Sequence, residues 1–153
     1  MSAGYGGGVT PQELDTVAAD GEVVGACPDD FARSFYATLF ELAPETRDLF
    51  PEDLTAQRGK LVNELLFLVD AATDRDGLGL EGFLARARDL GARHASYGVT
   101  NRDYAPVGAA LVAALRSCVP EWDDDHVEAW MKLYRLISNV MREGAEAARF
   151  APT

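Results

Sequence analysis

The sequence predicts an all-α domain with about six long helices and one or two short ones. Three observations support this fold class. Apolar residues recur at three- and four-residue spacing in segments that are separated by short breakers. No alternating apolar run is bounded by an Asn-Gly or Asp-Gly turn, which is the usual signal of a β-hairpin. Of the 153 residues 48% are apolar, so the chain can bury a core of its own.

The domain organisation follows from composition. Residues 1–8 are rich in glycine and predict a flexible tail, residues 9–150 form the predicted domain, and residues 151–153 form a second short tail. No repeat of fixed period and no interdomain linker interrupts the domain. The sequence therefore predicts a single folded unit.

The charge balance limits the partners of this domain. Acidic residues outnumber basic ones 25 to 14, which gives a formal net charge of −11. Nucleic acid and anionic membrane surfaces repel such a surface, so neither is expected as the main partner. No run approaches the roughly 18 apolar residues of a membrane span. The first residues also lack a basic-then-apolar signal, so we expect a cytoplasmic protein.

The first helix is predicted to begin at Thr10-Pro11, where a capping threonine precedes proline in the first helical position. Glu13 lies in the first turn, and Cys27-Pro28 ends the helix. Cys27 and Cys118 show neither CxxC nor metal-ligand spacing, and the sequence favours buried thiols over a disulfide between them.

The second and third helices are bounded by prolines. Asp29 or Asp30 is the expected cap of the second helix, which ends at Pro44. The third helix is predicted to begin at Pro51, with acidic residues in its first turn, and to end at Asp74. The inner faces of these two helices consist of Phe31, Phe35, Tyr36, Leu39 and Phe40, and of Leu54, Gln57, Leu61, Leu65 and Leu68.

Three further helices complete the prediction. The fourth has the most regular apolar face, which includes Phe83, Leu84, Ala87, Leu90, Gly91 and His94. The corner Tyr97-Gly98-Val99 follows it, and Thr100 with Asp103 resembles a capping pair for a fifth helix that ends at Pro120. The last helix is capped within 123–125, and its inner face consists of Val127, Trp130, Met131, Tyr134, Ile137, Ser138 and Met141.

The two histidines differ in their surroundings. His126 lies in an acidic run at a helix start, so we expect a solvated surface residue. His94 ends an otherwise apolar face, and Gly91 and Ala87 beneath it are expected to leave room for a large flat group. Two interpretations of His94 remain open: a core histidine bonded to a carbonyl, or an axial ligand of haem iron. No second ligand has the spacing of a zinc site.

Polar residues on two other apolar faces bear on this choice. Tyr36 lies on the phenylalanine-rich face of the second helix, and Gln57 lies on the inner face of the third. Each alone is typical of a hydrogen-bonded core group. Together they supply a hydroxyl and an amide donor, which suit a dioxygen ligand of partial negative charge. Phe50 would form a flat apolar wall beside a macrocycle.

Four segments carry a resemblance to a known family. They occur in the chain order of that family and cover about residues 9–150: SFYATLF followed by Pro44 and Phe50, then TAQRGKL, HASYGVTNRDYAPVGAAL and AWMKLY. The sequence resembles the bacterial globins, specifically the globin domain of flavohaemoglobins and their single-domain relatives. The resemblance implies a globin fold, an all-α arrangement of helices around a haem pocket.

The resemblance also implies roles for individual residues. His94 would be the iron ligand of haem b, and Tyr36 would donate a hydrogen bond to a dioxygen ligand. Gln57 and Leu61 would line the distal side, and Phe50 would pack on the haem ring. Further cofactor contacts are expected from the corner residues Tyr97 and Val99.

A proximal relay is expected as well, with one departure from the family pattern. In flavohaemoglobins a tyrosine, here Tyr104, and a glutamate of the last helix polarise the proximal imidazole. Counted from Trp130, the place of that glutamate falls on Ala145, and Glu146 comes one residue later. Since one residue turns a helical side chain by about 100°, the relay is either shifted to Glu146 or incomplete.

The resemblance implies a function with several alternatives. The leading hypothesis is a haem protein that binds dioxygen and oxidises nitric oxide to nitrate. No phosphate-binding loop or flavin segment follows the globin segments, so electrons are expected from a separate reductase or a small reductant. The alternatives are oxygen binding or sensing without turnover, another oxidation in a specialised pathway, and a signalling module that has lost haem. The sequence does not decide whether the protein is an enzyme, nor its oligomeric state.

Overall fold

The computed structural model describes residues 8–73 and 78–149, and these residues are entirely helical apart from the connections. The six α-helices of this part are α1 (Pro11–Ala26), α2 (Pro28–Leu42), α3 (Thr55–Thr73), α4 (Leu78–Ser96), α5 (Tyr104–Cys118) and α6 (Asp124–Arg149). Two 3₁₀ helices, Pro44–Leu49 and Asn101–Asp103, join them. The all-α prediction is confirmed. The predicted end of the third helix at Asp74, most of the first tail and all of the second lie outside the described residues.

The start of α1 forms as its sequence predicts. The Thr10 hydroxyl accepts a hydrogen bond from the Glu13 amide at 3.1 Å, and the Glu13 carboxylate accepts one from the Thr10 amide at 2.9 Å. This reciprocal pair lowers the pKa of Glu13. Cys27 then separates α1 from α2, and α2 begins at Pro28 rather than after Asp29 or Asp30. Proline is accepted there because the first helical position needs no N–H donor.

The prediction that the third helix begins at Pro51 was wrong, since α3 begins at Thr55. Two side chains hold the preceding segment out of the helix. The Arg47 guanidinium donates hydrogen bonds to backbone oxygens of residues 50–52. Asp53 Oδ1 accepts hydrogen bonds from the amide and the hydroxyl of Thr55 at 2.9 and 2.7 Å. A proline followed by acidic residues did not reveal these competing contacts.

The corner before α5 follows its sequence signals closely. Gly98 has a φ of 100°, a left-handed conformation that favours glycine. Thr100 and Asp103 form the predicted capping box, but it begins the 3₁₀ helix Asn101–Asp103. Because α5 starts at Tyr104, Pro106 falls in its first turn, where a missing N–H leaves no hydrogen bond unmade.

The helices α4 and α6 cross at two glycines. A Cβ at Gly91 would overlap the Met141 carbonyl, and one at Gly144 would overlap the Arg88 carbonyl. Backbones approach this closely only where side chains are absent. Gly91 therefore makes room for α6, and the expectation that it leaves space for a large flat group was wrong.

His126 is not a solvated surface residue, contrary to the prediction. Its side chain is 21% exposed, and Nδ1 lies 2.7 Å from Oδ2 of Asp20, which is 3% exposed. The indole of Trp130 donates to the same oxygen at 2.8 Å. A buried carboxylate requires such partners, and these two fasten α6 to α1.

The other contacts between helices bring α3 beside α2 and α4. Helix α3 packs against α1, α2 and α4, while α5 packs against α2 and α6. The largest fully buried side chains include Phe31, Phe83, Leu115, Trp130 and Leu133.

Cys27 and Cys118 are half-buried free thiols. Burial and the neighbouring Cys118 thiol raise the pKa of Cys27 to about 11. None of the described helices combines the length and apolarity that a membrane span requires.

Candidate functional site

The structure joins the two polar residues that the sequence placed on separate apolar faces. Nε2 of Gln57 on α3 donates a hydrogen bond of 3.2 Å to the hydroxyl oxygen of Tyr36 on α2. Tyr36 is only 4% exposed, and burial raises the pKa of its phenol. The hydroxyl therefore stays protonated at neutral pH. Because Gln57 supplies the proton of this bond, the proton of Tyr36 remains available for another acceptor.

An aromatic wall borders this pair. The ring of Phe50 lies 5.3 Å from the ring of Tyr36 and 5.7 Å from that of Phe40, both in edge-to-face orientation. Such spacing and orientation are favourable for aromatic pairs. Phe50 is half-buried and lies directly after the 3₁₀ helix Pro44–Leu49. Leu61 is half-buried one turn after Gln57, on the same face of α3.

The imidazole of His94 is oriented by the helix that carries it. Nδ1 lies 2.8 Å from the carbonyl oxygen of Leu90, one turn earlier in α4. A carbonyl can only accept, so Nδ1 carries the ring proton and the lone pair lies on Nε2. Burial lowers the pKa of His94, which favours this neutral form. Nε2 makes no hydrogen bond within the part of the chain that the structure describes.

This donor set fits haem. A neutral imidazole with a free Nε2 and a second nitrogen bonded to a carbonyl is the usual form of a histidine metal ligand. Among the described residues no group of three His, Cys, Asp or Glu side chains could hold a metal ion. A single imidazole suits a metal that receives four further ligands from a porphyrin. Helix α3 carries Gln57 and packs against both α2, which carries Tyr36, and α4, which carries His94.

The corner after His94 places its two predicted cofactor contacts differently. The amides of Tyr97 and Val99 both donate to the His94 carbonyl, at 3.0 and 3.1 Å. Val99 is half-buried and packs against the core. The side chain of Tyr97 is 65% exposed, so the structure brings Val99 but not Tyr97 towards the interior.

The predicted relay residues are not joined to His94 by hydrogen bonds. Tyr104 is 7% exposed, its ring lies 4.7 Å from the guanidinium carbon of Arg142, and its carbonyl accepts from Tyr134 at 2.6 Å. Burial raises the pKa of Tyr104. Glu146 is 61% exposed and pairs with Arg149 at 3.7 Å. Within the described residues, no hydrogen-bonded path runs from Glu146 through Tyr104 to the imidazole.

Sequence reasoning missed two residues that shape this site. The four-residue spacing between Leu90 and His94 could have identified Leu90 as the carbonyl partner of the imidazole. Arg142 had no comparable signal, because its contact with Tyr104 joins two different helices. The Arg142 guanidinium, and not the carboxylate of Glu146, therefore contacts the ring of Tyr104.

Comparison with known proteins agrees with this architecture. A model of the family described as Globin matches residues 33–141. The chain is 26% identical over 142 residues to a leghemoglobin of Psophocarpus tetragonolobus, across 90% of this chain and 98% of that protein. It is 28% identical over 146 residues to a flavohemoprotein of Giardia intestinalis, across 83% of this chain and 32% of that protein.

A solved structure has the same fold. The bacterial globin of Campylobacter jejuni superposes with a TM-score of 0.79 at 19% identity, across 93% of this chain and all of that one. The match to the flavohemoprotein, by contrast, covers 32% of that protein. With the family model matching most of the residues and the helices arranged in the same way, the chain belongs to the globin family.

Proposed function

We propose that this globin holds haem b through His94, binds dioxygen there, and oxidises nitric oxide to nitrate with electrons from a separate reductase. The hydrogen bond between Gln57 and Tyr36 is the observation that carries the proposal. It places a phenol with an unused proton in a buried position beside Phe50. We also propose that the protein is cytoplasmic.

The cofactor has a defined task in this proposal. When bound, haem iron supplies the coordination site and the one-electron chemistry that dioxygen requires. His94 would hold it through Nε2, while the Leu90 carbonyl keeps the ring in the required tautomer and orientation. Phe50 and Leu61 would pack against the macrocycle. Val99 would contribute apolar surface near the proximal corner.

The distal pair acts on the ligand. Tyr36 can donate its free proton to a ligand oxygen of partial negative charge, and Gln57 fixes the direction of that hydroxyl. A donor in a dry, preformed position stabilises such charge more than one in water. The raised pKa of Tyr36 keeps this proton in place at neutral pH.

The overall reaction consumes one electron. One nitric oxide, one dioxygen and one electron yield one nitrate ion, so continued turnover requires a reductant. The proposal assigns this electron to a separate reductase. The 28% identity to a flavohemoprotein, matched over 32% of its length, supports the assignment.

Rapid mixing tests the proposal. Reduced, haem-loaded protein equilibrated with dioxygen is mixed with nitric oxide, and the haem spectrum and nitrate yield are followed. We expect one nitrate per haem, formed much faster than free dioxygen consumes nitric oxide. A reaction no faster than the free one would contradict the enzymatic proposal.

Substitution of the distal hydroxyl tests the same site. Tyr36→Phe should accelerate dioxygen escape about tenfold or more, because a hydrogen bond to a charged acceptor contributes about 1.5–3 kcal/mol. Tyr134→Phe is the matched control, since its hydroxyl bonds to the Tyr104 carbonyl outside the distal pair. An unchanged off-rate in Tyr36→Phe would mean that the hydroxyl does not contact the ligand.

A second candidate is oxygen binding or sensing without turnover. The observation that favours it is the proximal side, where the imidazole bonds to the uncharged Leu90 carbonyl and Glu146 pairs with Arg149. A carboxylate partner would make the imidazole a stronger electron donor than a carbonyl does. Slow nitrate formation with tight oxygen binding would favour this candidate, and turnover of another substrate would indicate a different oxidation.

A further inference from the structure

We propose that Arg47 is a positioning residue that holds the 50–52 segment in place and thereby fixes the Phe50 ring against Tyr36. The inference rests on the proposed function, because haem is the group on which Phe50 would pack. It assigns a task to a side chain that no sequence motif had singled out.

The Arg47 guanidinium binds consecutive backbone oxygens. Nη1 donates to the carbonyls of Pro51 at 3.0 Å and Phe50 at 3.4 Å, and Nη2 donates to that of Glu52 at 2.9 Å. A planar guanidinium presents its donors in a fixed geometry, so one side chain can hold several carbonyls at once. These bonds engage the segment outside a helix, and α3 begins only at Thr55.

The same guanidinium also touches the aromatic wall. Its carbon lies 5.2 Å from the centre of the Phe40 ring, in a cation–π arrangement. Phe40 packs against Phe50, and Phe50 packs against Tyr36. Arg47 thus holds Phe50 from two directions, through its backbone oxygen and through its ring neighbour.

The backbone that carries the Arg47 side chain is also held in place. The residue lies in the 3₁₀ helix Pro44–Leu49, where the buried Thr46 hydroxyl donates to the Ala43 carbonyl at 2.7 Å. The amide of Phe50 donates to the Arg47 carbonyl at 3.2 Å. Loss of the guanidinium should therefore release the segment after residue 50 while the 3₁₀ helix before it persists.

A haem-independent measurement tests the hold on the segment. In the apoprotein, hydrogen exchange of the Thr55 amide, which bonds to Asp53 Oδ1, should accelerate about tenfold in Arg47→Met, because the segment before it loses the charge-assisted hydrogen bonds on its carbonyls. Arg47→Lys keeps the charge but not the planar group, and its exchange should lie between wild type and Arg47→Met. Arg33→Met is the matched control, since Arg33 is an exposed arginine paired with Asp29.

Two haem-loaded readouts test the positioning of Phe50. Arg47→Met should release haem to an acceptor apoprotein about tenfold faster, and carbon monoxide on the loaded protein should show a broadened, shifted C–O stretch as Tyr36 loses its fixed neighbour. Arg33→Met should match wild type in both. If Arg47→Met does not fold, Arg47→Lys provides the same comparison.

The outcomes separate the two claims. Faster exchange with unchanged haem release and an unchanged C–O stretch would overturn the positioning role. Unchanged exchange would overturn the hold itself. Wild-type protein that takes up no haem would overturn the proposed function and, with it, the role of Phe50.

Discussion

The two histidines lie on the neighbouring helices α4 and α6 and use the same ring nitrogen in different ways. In His94, Nδ1 bonds to the uncharged carbonyl of Leu90, 2.8 Å away on its own helix. In His126, Nδ1 contacts the buried carboxylate of Asp20 at 2.7 Å, on a helix at the other end of the sequence. One partner is local and neutral, and the other is distant and acidic.

This difference bears on the proposed role of His94 as the iron ligand. The local carbonyl leaves Nε2 of His94 with its lone pair and no partner among the described residues. The Asp20 carboxylate instead contacts both His126 and Trp130. The Trp122 ring lies 5.1 Å from the imidazole of His126. A carboxylate on Nδ1 is itself compatible with metal binding, but Nε2 of His126 also lies 3.9 Å from Oδ1 of Asp123.

The largest expected effect is at His94, the proposed iron ligand. His94→Ala should weaken haem binding about 100-fold or more, because loss of even an outer contact of a metal ligand costs 10–100-fold. Titration with haem, followed by Soret absorbance, measures this. His126→Ala is the matched control and should keep a normal Soret band. A normal band in His94→Ala would remove the distinction between the two rings.

The crossing at Gly91 and Gly144 sets the distance between α4 and α6. Gly91→Ala should destabilise the apoprotein by about 3 kcal/mol, because the new Cβ would overlap the backbone of Met141. Gly82→Ala, on the same helix with open space around it, should instead stabilise by about 0.5–1 kcal/mol. Urea unfolding measures both. Equal stability of the two variants would contradict the crossing.

The structural histidine should matter for stability and not for haem. His126→Leu removes a donor from buried Asp20 and should cost about 1–3 kcal/mol of unfolding free energy. His126→Asn places an amide nitrogen near the position of Nδ1 and should recover part of that loss. Haem affinity should stay at the wild-type value in both. A haem defect in His126→Leu would show that the two sites are coupled.

The smallest expected effect is in the pH dependence of apoprotein stability. Burial lowers the pKa of folded His94 below its ordinary value of 6.5. The unfolded chain therefore takes up a proton first, so stability falls as the pH drops below 6.5 and levels off below the folded-state pKa. His94→Asn should flatten this part of the profile in urea unfolding. An unchanged slope would mean that His94 is not desolvated.

Several features of the site could be predicted from periodicity. Tyr36 and Gln57 fall on the buried faces of their helices, and the structure brings them within 3.2 Å. His94 was placed on an apolar face, with a carbonyl partner as one of two open interpretations. These features depend on residues three and four positions apart, which a helix fixes locally.

Other features escaped prediction because their causes are distant or competing. The acidic run around His126 indicated solvent, but its partner Asp20 lies 106 positions away. Pro51 indicated a helix start, but Arg47 captures the backbone that would have formed the first turn. Gly91 indicated a void, and another helix fills it.

The sequence by itself determined the helices, most of their ends and the membership of the globin family, because each depends on local spacing or on segments in order. Only the tertiary structure decided that His126 contacts the buried Asp20 carboxylate and which residues surround Tyr104. Those outcomes depend on where helices cross, and the crossing is set by side-chain volume and backbone approach between segments far apart in the chain.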